Sequence, residues 1–306
     1  MREQIGKVVM NYEYYKGEDG YSEGEVEEQL LELVTKYKES EYNAVIAQTK
    51  SWPVLYHLSH IRKNIIEWLP ITKEDTVLEI GAGCGAISGQ LAHMAKQLTC
   101  LELSKKRSLI NAQRNHQRDN MEIIVGNFAD IESNLVNKYE YVVLIGVLEY
   151  AASYVKAANP YVEMLKKAVE LLTPQGKIII AIENRLGLKY WAGCKEDHLG
   201  EYYKGLEGYE DPAGVRTFSK NELQSIIQEA GLNRMKFYYP YPDYKLPSTI
   251  YSAERLPLKN ELTENLRNFD YGRIVSFDER LVYNTLIDNH AFEMFSNSFL
   301  IVIEKE

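Results

Sequence analysis

Apolar residues recur at helical spacing early in the chain, at Val26, Leu30, Leu33, Val34 and Tyr37 and again at Val54, Leu58, Ile61, Ile65 and Trp68. Residues 1–70 are therefore predicted to form a helical N-terminal cap. Beyond Pro70 the pattern changes to short β-branched runs, with strands predicted near 76–80, 98–103, 122–126, 139–146 and 176–183. Helical stretches (GQLAHMAK, RSLINAQRN, YVEMLKKAVELL) fill the gaps, and this alternation is the signature of βαβ units on a mostly parallel sheet. Thr173-Pro174-Gln175-Gly176 reads as a stop-and-turn after the third of these helices. A capped helix follows, with Ser219 at its N-cap, Glu222 three residues on and Gly231 closing it, before two last strands near 235–241 and 298–305. The expected fold class is α/β: a doubly wound, mostly parallel seven-stranded sheet over 71–306, with insertions at 184–218 and 242–297. Insertions of that length in a compact domain are more often binding elements than slack.

Composition narrows the partners. With 306 residues and 45% apolar content the chain has ample material for a large core. Its 44 acidic residues outnumber its 35 basic ones, for a net charge of −9. No overall basic field exists to hold a phosphate backbone, so nucleic acid is not an expected partner. Cys84, Cys100 and Cys194 are odd in number and lack a C-x-x-C pairing, which argues against a disulfide framework and a zinc site and favours a reducing cytoplasm. No apolar run approaches the length of a membrane span, and no signal-peptide core is evident.

The chemistry concentrates in Val77-Leu78-Glu79-Ile80-Gly81-Ala82-Gly83-Cys84-Gly85, where an acidic strand end meets three glycines that open a helix. Glycine lets such a turn bend tightly and approach a ligand without a Cβ clash, although a plain strand-to-helix turn has the same spacing. Context favours a ligand, because the next strand ends in Glu102, 21 residues after Gly81. That is close to the roughly 20-residue offset at which an acidic side chain grips ribose hydroxyls. The glycines read G-x-G-x-G and not G-x-G-x-x-G, which disfavours a nicotinamide-dependent dehydrogenase.

With Gly126-Asn127-Phe128 after the third strand and Gly146-Val147-Leu148-Glu149-Tyr150 after the fourth, the sequence resembles the class I S-adenosylmethionine (SAM)-dependent methyltransferases, of Rossmann-like fold. The resemblance covers about residues 70–240 and the last strand. It implies that Gly81, Gly83 and Gly85 face the methionine portion while Glu79 orders the turn, and that Glu102 takes the ribose diol. Asn127 would meet the adenine edge, Phe128 or Leu103 its ring, and Gly146 with Val147 the sulfonium. A familiar histidine after the fourth strand is replaced by Tyr150. Three further segments, 182–198, 214–219 and 239–247, resemble bacterial methyltransferases associated with surface-polysaccharide and related glycan assembly.

Other candidates carry two readings each. His198, beside Asp197, is a candidate general base or acceptor clamp, or a solvated loop histidine, and Glu149 either meets both the acceptor and the methionine ammonium or caps the following helix. Asn184 and Arg185 are candidate acceptor contacts, as are Asp243, Tyr244 and Lys245 unless P-x-P-D-Y-K is only a rigid turn. His57, His60 and Asn64 fall on one helical face but lack a third metal ligand, so no metal is expected. Tyr56 or Arg62 would reach the cofactor carboxylate, and Tyr14 and Tyr15 would close over the same pocket. The acidic, tyrosine-rich insertions favour a small-molecule or saccharide acceptor, and the glycine-rich 184–218 reads as a mobile lid. The resulting expectation is direct in-line methyl transfer, with a non-catalytic SAM- or nucleotide-binding module as the rival.

Overall fold

The computed structural model describes residues 1–17, 19, 24–211, 214–265 and 272–305, and the structural statements here concern these. Ten strands are present: β1 (Arg2–Ile5), β2 (Val8–Asn11), β3 (Thr76–Ile80), β4 (Gln97–Glu102), β5 (Met121–Val125), β6 (Tyr139–Ile145), β7 (Leu172–Glu183), β8 (Arg234–Tyr241), β9 (Thr249–Ser252) and β10 (Ser298–Glu304). All seven expected strands are among them, and β1, β2 and β9 were not foreseen. The described chain separates into two compact units, residues 1–144 with 167–178, and 145–166 with 179–306.

In the first unit β3, β4, β5 and β6 pair in parallel, in the order β5-β4-β3-β6. Their side chains are nearly all buried, Val77, Leu78, Leu98, Cys100, Ile123 and Val142 completely, as expected for strands covered on both faces. The chain winds from β3 outward to β5 and then returns to β6, so β3 and β6 flank a topological switch point, where open α/β sheets bind ligands beyond the strand C-termini.

The helical cap expected over 1–70 begins instead with a β-hairpin. β1 pairs antiparallel with β2, and β2 pairs in parallel with β5. Two four-residue strands are too short for periodicity to reveal. The helices that follow (Glu25–Lys36, Tyr42–Thr49 and Trp52–Leu58) share an apolar cluster in which Leu30, Val34, Tyr42, Val45, Val54 and Leu58 pack with Cys84 and Ile110. The lead-in thus buttresses the glycine turn that holds Cys84. The long helix expected from Val54 to Trp68 breaks at Ser59, whose backbone is extended and whose hydroxyl accepts from Ile61 N–H. A short polar side chain competing for backbone partners in this way ends helices. His57, His60 and Asn64 therefore share no single α-helical face. The half-buried His57 ring is held neutral, its pKa down to about 3 through desolvation and then Arg107, Arg62 and Arg114.

In the second unit β10 pairs antiparallel with β8, and β8 with β9. The capping box forms as read, with Ser219 Oγ accepting from Glu222 N–H while the Glu222 carboxylate accepts from Ser219 N–H. Thr173-Pro174-Gln175-Gly176 is not a turn, because β7 begins at Leu172 and includes it. In the first insertion Asn184 pairs with Phe218, and Gly193 C=O accepts from Ile274 N–H at 3.0 Å, joining the two insertions. Residues 212–213 and 266–271 of these insertions lie outside the described residues.

Candidate active site

The first unit carries a cradle made largely of backbone. Gly81, Gly83 and Gly85 all have positive φ (71°, 53° and 74°), which L side chains rarely adopt. Their neighbourhoods differ. A Cβ on Gly83 would meet open space, whereas one on Gly85 would lie 2.2 Å from Asn111 Oδ1. Gly83 thus leaves room for a ligand, and Gly85 lets the turn close on the helix Lys105–Arg114.

Glu102 ends β4 with its carboxylate buried. Oε2 accepts Gly83 N–H at 2.7 Å and Oε1 accepts Ser104 N–H at 2.8 Å. Burial raises its pKa, partly opposed by those two backbone donors. Each carboxylate oxygen has about two lone-pair sites, so one on each remains to accept from a diol. Glu79 is turned inward: Cys100 Sγ donates to it at 3.3 Å, and its pKa is pushed up to about 7 by burial, against hydrogen bonds from Ser88 and Cys100. It orders the turn through Ser88, at the start of the helix after the glycines.

Asn127 caps the short helix Phe128–Ile131, its Oδ1 accepting Ala129 N–H, with Phe128 buried and Leu103 half-buried nearby in sequence to Glu102. The tyrosine turn approaches the end of β5, since a Cβ on Gly126 would lie 2.9 Å from Tyr14 O. Tyr15 packs edge-on with Tyr12, and Lys105 lies over both rings. Arg62 stacks 4.4 Å over Tyr56.

The second unit carries an ionic cluster drawn from four segments. Lys189 is 1% exposed, and its Nζ lies 2.8 Å from both Asp197 and Asp243. Lys245 pairs with Asp197 and, at 2.7 Å, with Glu183, whose Oε1 also accepts from Tyr244 OH at 3.3 Å. His198 Nδ1 meets Tyr150 OH at 3.1 Å, and its Nε2 faces Glu183 Oε2 at 3.5 Å. Glu149 is 1% exposed and its Oε2 has no partner. Gly146 (φ 70°) closes against this group: a Cβ there would lie 2.9 Å from Tyr244 OH and 3.6 Å from Glu149 Oε1. Val147 begins the turn that carries Glu149.

Protonation follows from these neighbours. Burial works against ionising Glu183 and Asp197, but Lys245 with His198 and Lys189 with Lys245 hold both well below the usual carboxylate range. Burial also opposes a charged His198, yet Glu183, Glu149 and Glu196 raise it to about 9. Glu149 is raised to about 8, by burial and then by Glu183. At neutral pH His198 is thus an imidazolium that donates, which corrects its reading as a general base.

Asn184 is not free to touch an acceptor, because its amide donates to Met294 O and Ser296 O and accepts from Leu186 N–H. Arg185 is held by Gly205 O and Glu222. Asp243 and Tyr244 belong to the cluster and also form a turn, in which Asp243 Oδ1 accepts Lys245 N–H at 3.0 Å. Glu149, Glu183 and His198 bring ligand atoms within 4.8 Å of one another, a grouping the sequence reading missed. The positive charge a metal ion would bring is already supplied there by Lys245 and Lys189. Glu183 and Lys189 were also missed; the signal available was a charged residue closing the apolar run of β7.

The family model for ribosomal RNA adenine dimethylase matches residues 58–155. The ribosomal RNA small subunit methyltransferase A of Mycoplasma mycoides is 21% identical over 229 residues, 74% of this chain and 76% of the relative. That of Leuconostoc mesenteroides is 32% identical over 82 residues, 27% of this chain and 28% of the relative. Among solved structures, a SAM-dependent methyltransferase from Archaeoglobus fulgidus aligns with a TM-score of 0.49 and 14% identity, covering 80% of this chain and 93% of that one. The family model and both relatives are named for ribosomal RNA. That finding overturns the expectation of a small-molecule or saccharide acceptor with no nucleic acid, and the glycan-assembly subgroup gains no support from these matches.

Proposed function

We propose that this SAM-dependent methyltransferase transfers a methyl group to an adenine of RNA. The reading is carried by the RNA adenine dimethylase model on residues 58–155, and a relative named for small-subunit ribosomal RNA aligns over 74% of the chain. The cofactor is S-adenosylmethionine, which supplies a methyl group on a positively charged, electrophilic sulfur. The cradle fits it, with open space at Gly83 and a buried carboxylate that keeps two acceptor sites. In this reading Glu102 accepts from the ribose hydroxyls, Asn127 meets the adenine edge, and Phe128 and Leu103 flank the ring. Gly81 and Gly83 face the methionine end, with Tyr15 and Tyr56 closing around it. Residues 1–70 act as a cap, supported by the apolar cluster shared with Cys84.

The amino group of adenine is a weak nucleophile because its lone pair is delocalised into the ring. Hydrogen-bond acceptors on its N–H groups localise that pair, and Glu149 Oε2 is a buried acceptor with no partner. A proton must also leave the nitrogen after transfer, and Glu149, with a pKa of about 8, takes it when ionised. Lys189, Asp197, Asp243 and Lys245 position this group, and His198 holds the charge of Glu183. Three free, buried thiols and an RNA acceptor favour the cytoplasm; among the described residues no helix is long and apolar enough to cross a membrane.

The test is methyl transfer from isotope-labelled SAM to ribosomal RNA lacking adenine methylation, followed by digestion to nucleosides. Label in methyladenosine is expected. Label confined to any other nucleoside, or none in RNA under conditions where SAM binds, refutes the reading.

A further inference from the structure

One cavity in the second unit has no part in the roles above. It is an open groove of about 440 Å³ lined by Asn159, Tyr161, Arg216, Phe218, Asn221 and Ser225 among others, a volume within the usual range of ligand sites. Arg216 is fixed before any ligand arrives. Its guanidinium lies 5.1 Å from the Phe218 ring and 5.7 Å from the Tyr209 ring, and its backbone N–H donates to Glu149 O at 3.2 Å. Contacts through the faces of a planar guanidinium leave its in-plane N–H groups for an anion.

Two donors at this cavity are unmet. Arg216 Nε and Tyr161 OH are both buried without a hydrogen-bond partner, and Tyr161 is only 7% exposed. Leaving a buried donor unsatisfied is destabilising. An arginine Nε–H can only donate, and burial raises the Tyr161 pKa so that its hydroxyl keeps its proton. The missing partner is an acceptor. The local charge agrees, because Glu222 is one carboxylate set against two guanidinium groups. Its Oε1 lies 2.9 Å from Arg185 Nη1 and 3.7 Å from Arg216 Nη2, while its Oε2 is engaged in the capping box with Ser219.

We propose that the Arg216 cavity is a phosphate-binding site, in which Arg216 and Tyr161 donate to the oxygens of a singly charged phosphate. Resting on the RNA reading, that phosphate belongs to the backbone of the acceptor strand. A fork of N–H donors matches phosphate geometry better than a point charge does. The site also bears on the chain's net charge of −9, since one placed guanidinium positions a strand that no overall basic field attracts.

Two probes test this on the full chain: inorganic phosphate in thermal-shift titrations, and a labelled single-stranded adenine-containing RNA in anisotropy titrations at several salt concentrations. Phosphate is expected to raise the melting temperature of the wild type and not of Arg216→Ala. Arg216→Ala should weaken RNA binding about tenfold and lower the salt slope by about 0.7, the contribution of one single-strand phosphate. Arg216→Lys should restore part of the affinity, and Tyr161→Phe, which keeps the fold and removes only the hydroxyl, should weaken binding less than Arg216→Ala. Unchanged SAM affinity in each variant checks that the variants are folded. Phosphate stabilisation that needs Arg216, with no RNA binding in the wild type, supports the site and removes the RNA reading. RNA binding whose affinity and slope ignore all three substitutions, with no phosphate response, overturns the site and leaves the RNA reading standing.

Discussion

The cradle and the ionic cluster achieve binding chemistry by opposite means. The cradle spans Glu79 to Phe128 and works mostly through backbone: three glycines with positive φ, N–H groups aimed at one carboxylate, and a space where a side chain would otherwise stand. The cluster works through side chains, with Glu183, Lys189, Asp197, Asp243 and Lys245 neutralising one another in a buried network and Glu149 left with an unpartnered oxygen. A backbone cradle tolerates changes that respect its space, whereas a buried ionic network fails when one charge is removed.

The largest effect is expected at Gly85. Valine there would place a Cβ 2.2 Å from Asn111 Oδ1 on a backbone with φ of +74°, so Gly85→Val should destabilise the protein by more than about 4 kcal/mol in urea unfolding. Gly83→Val should stay folded, at a cost of about 1–3 kcal/mol of backbone strain, and lose SAM binding, because its side chain enters the open space. Equal unfolding of the two variants would mean that neither glycine is reserved for a ligand.

Lys189→Ala comes next, because it removes the lysine paired with Asp243 and one of the two paired with Asp197 in the interior. Breaking a buried pair costs about 3–5 kcal/mol, and chemical denaturation of the variant measures it. A loss below about 1 kcal/mol would show that water enters the cluster.

A pH effect of similar size follows from His198 and Glu149. Both have folded-state pKa values raised above their ordinary ones, to about 9 and about 8. The stability they contribute is full below the unfolded values and is lost as pH rises through the folded ones. For His198 alone, moved from 6.5 to about 9, the loss between pH 6.5 and 9 is on the order of 3 kcal/mol. Denaturant unfolding across that range should show the fall, and Glu149→Gln should flatten the part contributed by Glu149. A flat profile for the wild type would contradict the assigned protonation states.

The same division explains what was legible in the sequence. β3 to β6 and the glycine turn lie within about seventy consecutive residues, and their signals are local: β-branched runs, a glycine series and an acidic strand end. The cluster draws on residues 149, 183, 189, 197–198 and 243–245, which only the folded chain brings together. The sequence shows His198, Asp197, Glu149, Asp243, Tyr244 and Lys245 as separate candidates but not Glu183 and Lys189, which tie them into one network. Sequence reading also mistook short structure for long. The β1–β2 hairpin has strands of four residues, and Ser59 divides an apolar stripe that looks continuous. The net charge misled most, because it averages over the surface and says nothing of one guanidinium held between two rings.

The most direct measurement crosses the two regions: SAM affinity by calorimetry and methyl transfer to RNA by nucleoside analysis, each on wild type, Glu102→Ala and Glu149→Gln. Glu102→Ala should weaken SAM binding by about 1.5–3 kcal/mol, the scale for hydrogen bonds to a charged group. Glu149→Gln should keep SAM affinity and lower turnover by about 10²- to 10⁴-fold, removing the rise in rate through pH 8. A Glu149→Gln variant that loses SAM affinity as Glu102→Ala does, or that methylates RNA at the wild-type rate across pH, would contradict the assignment of the cradle to the cofactor and the cluster to the acceptor.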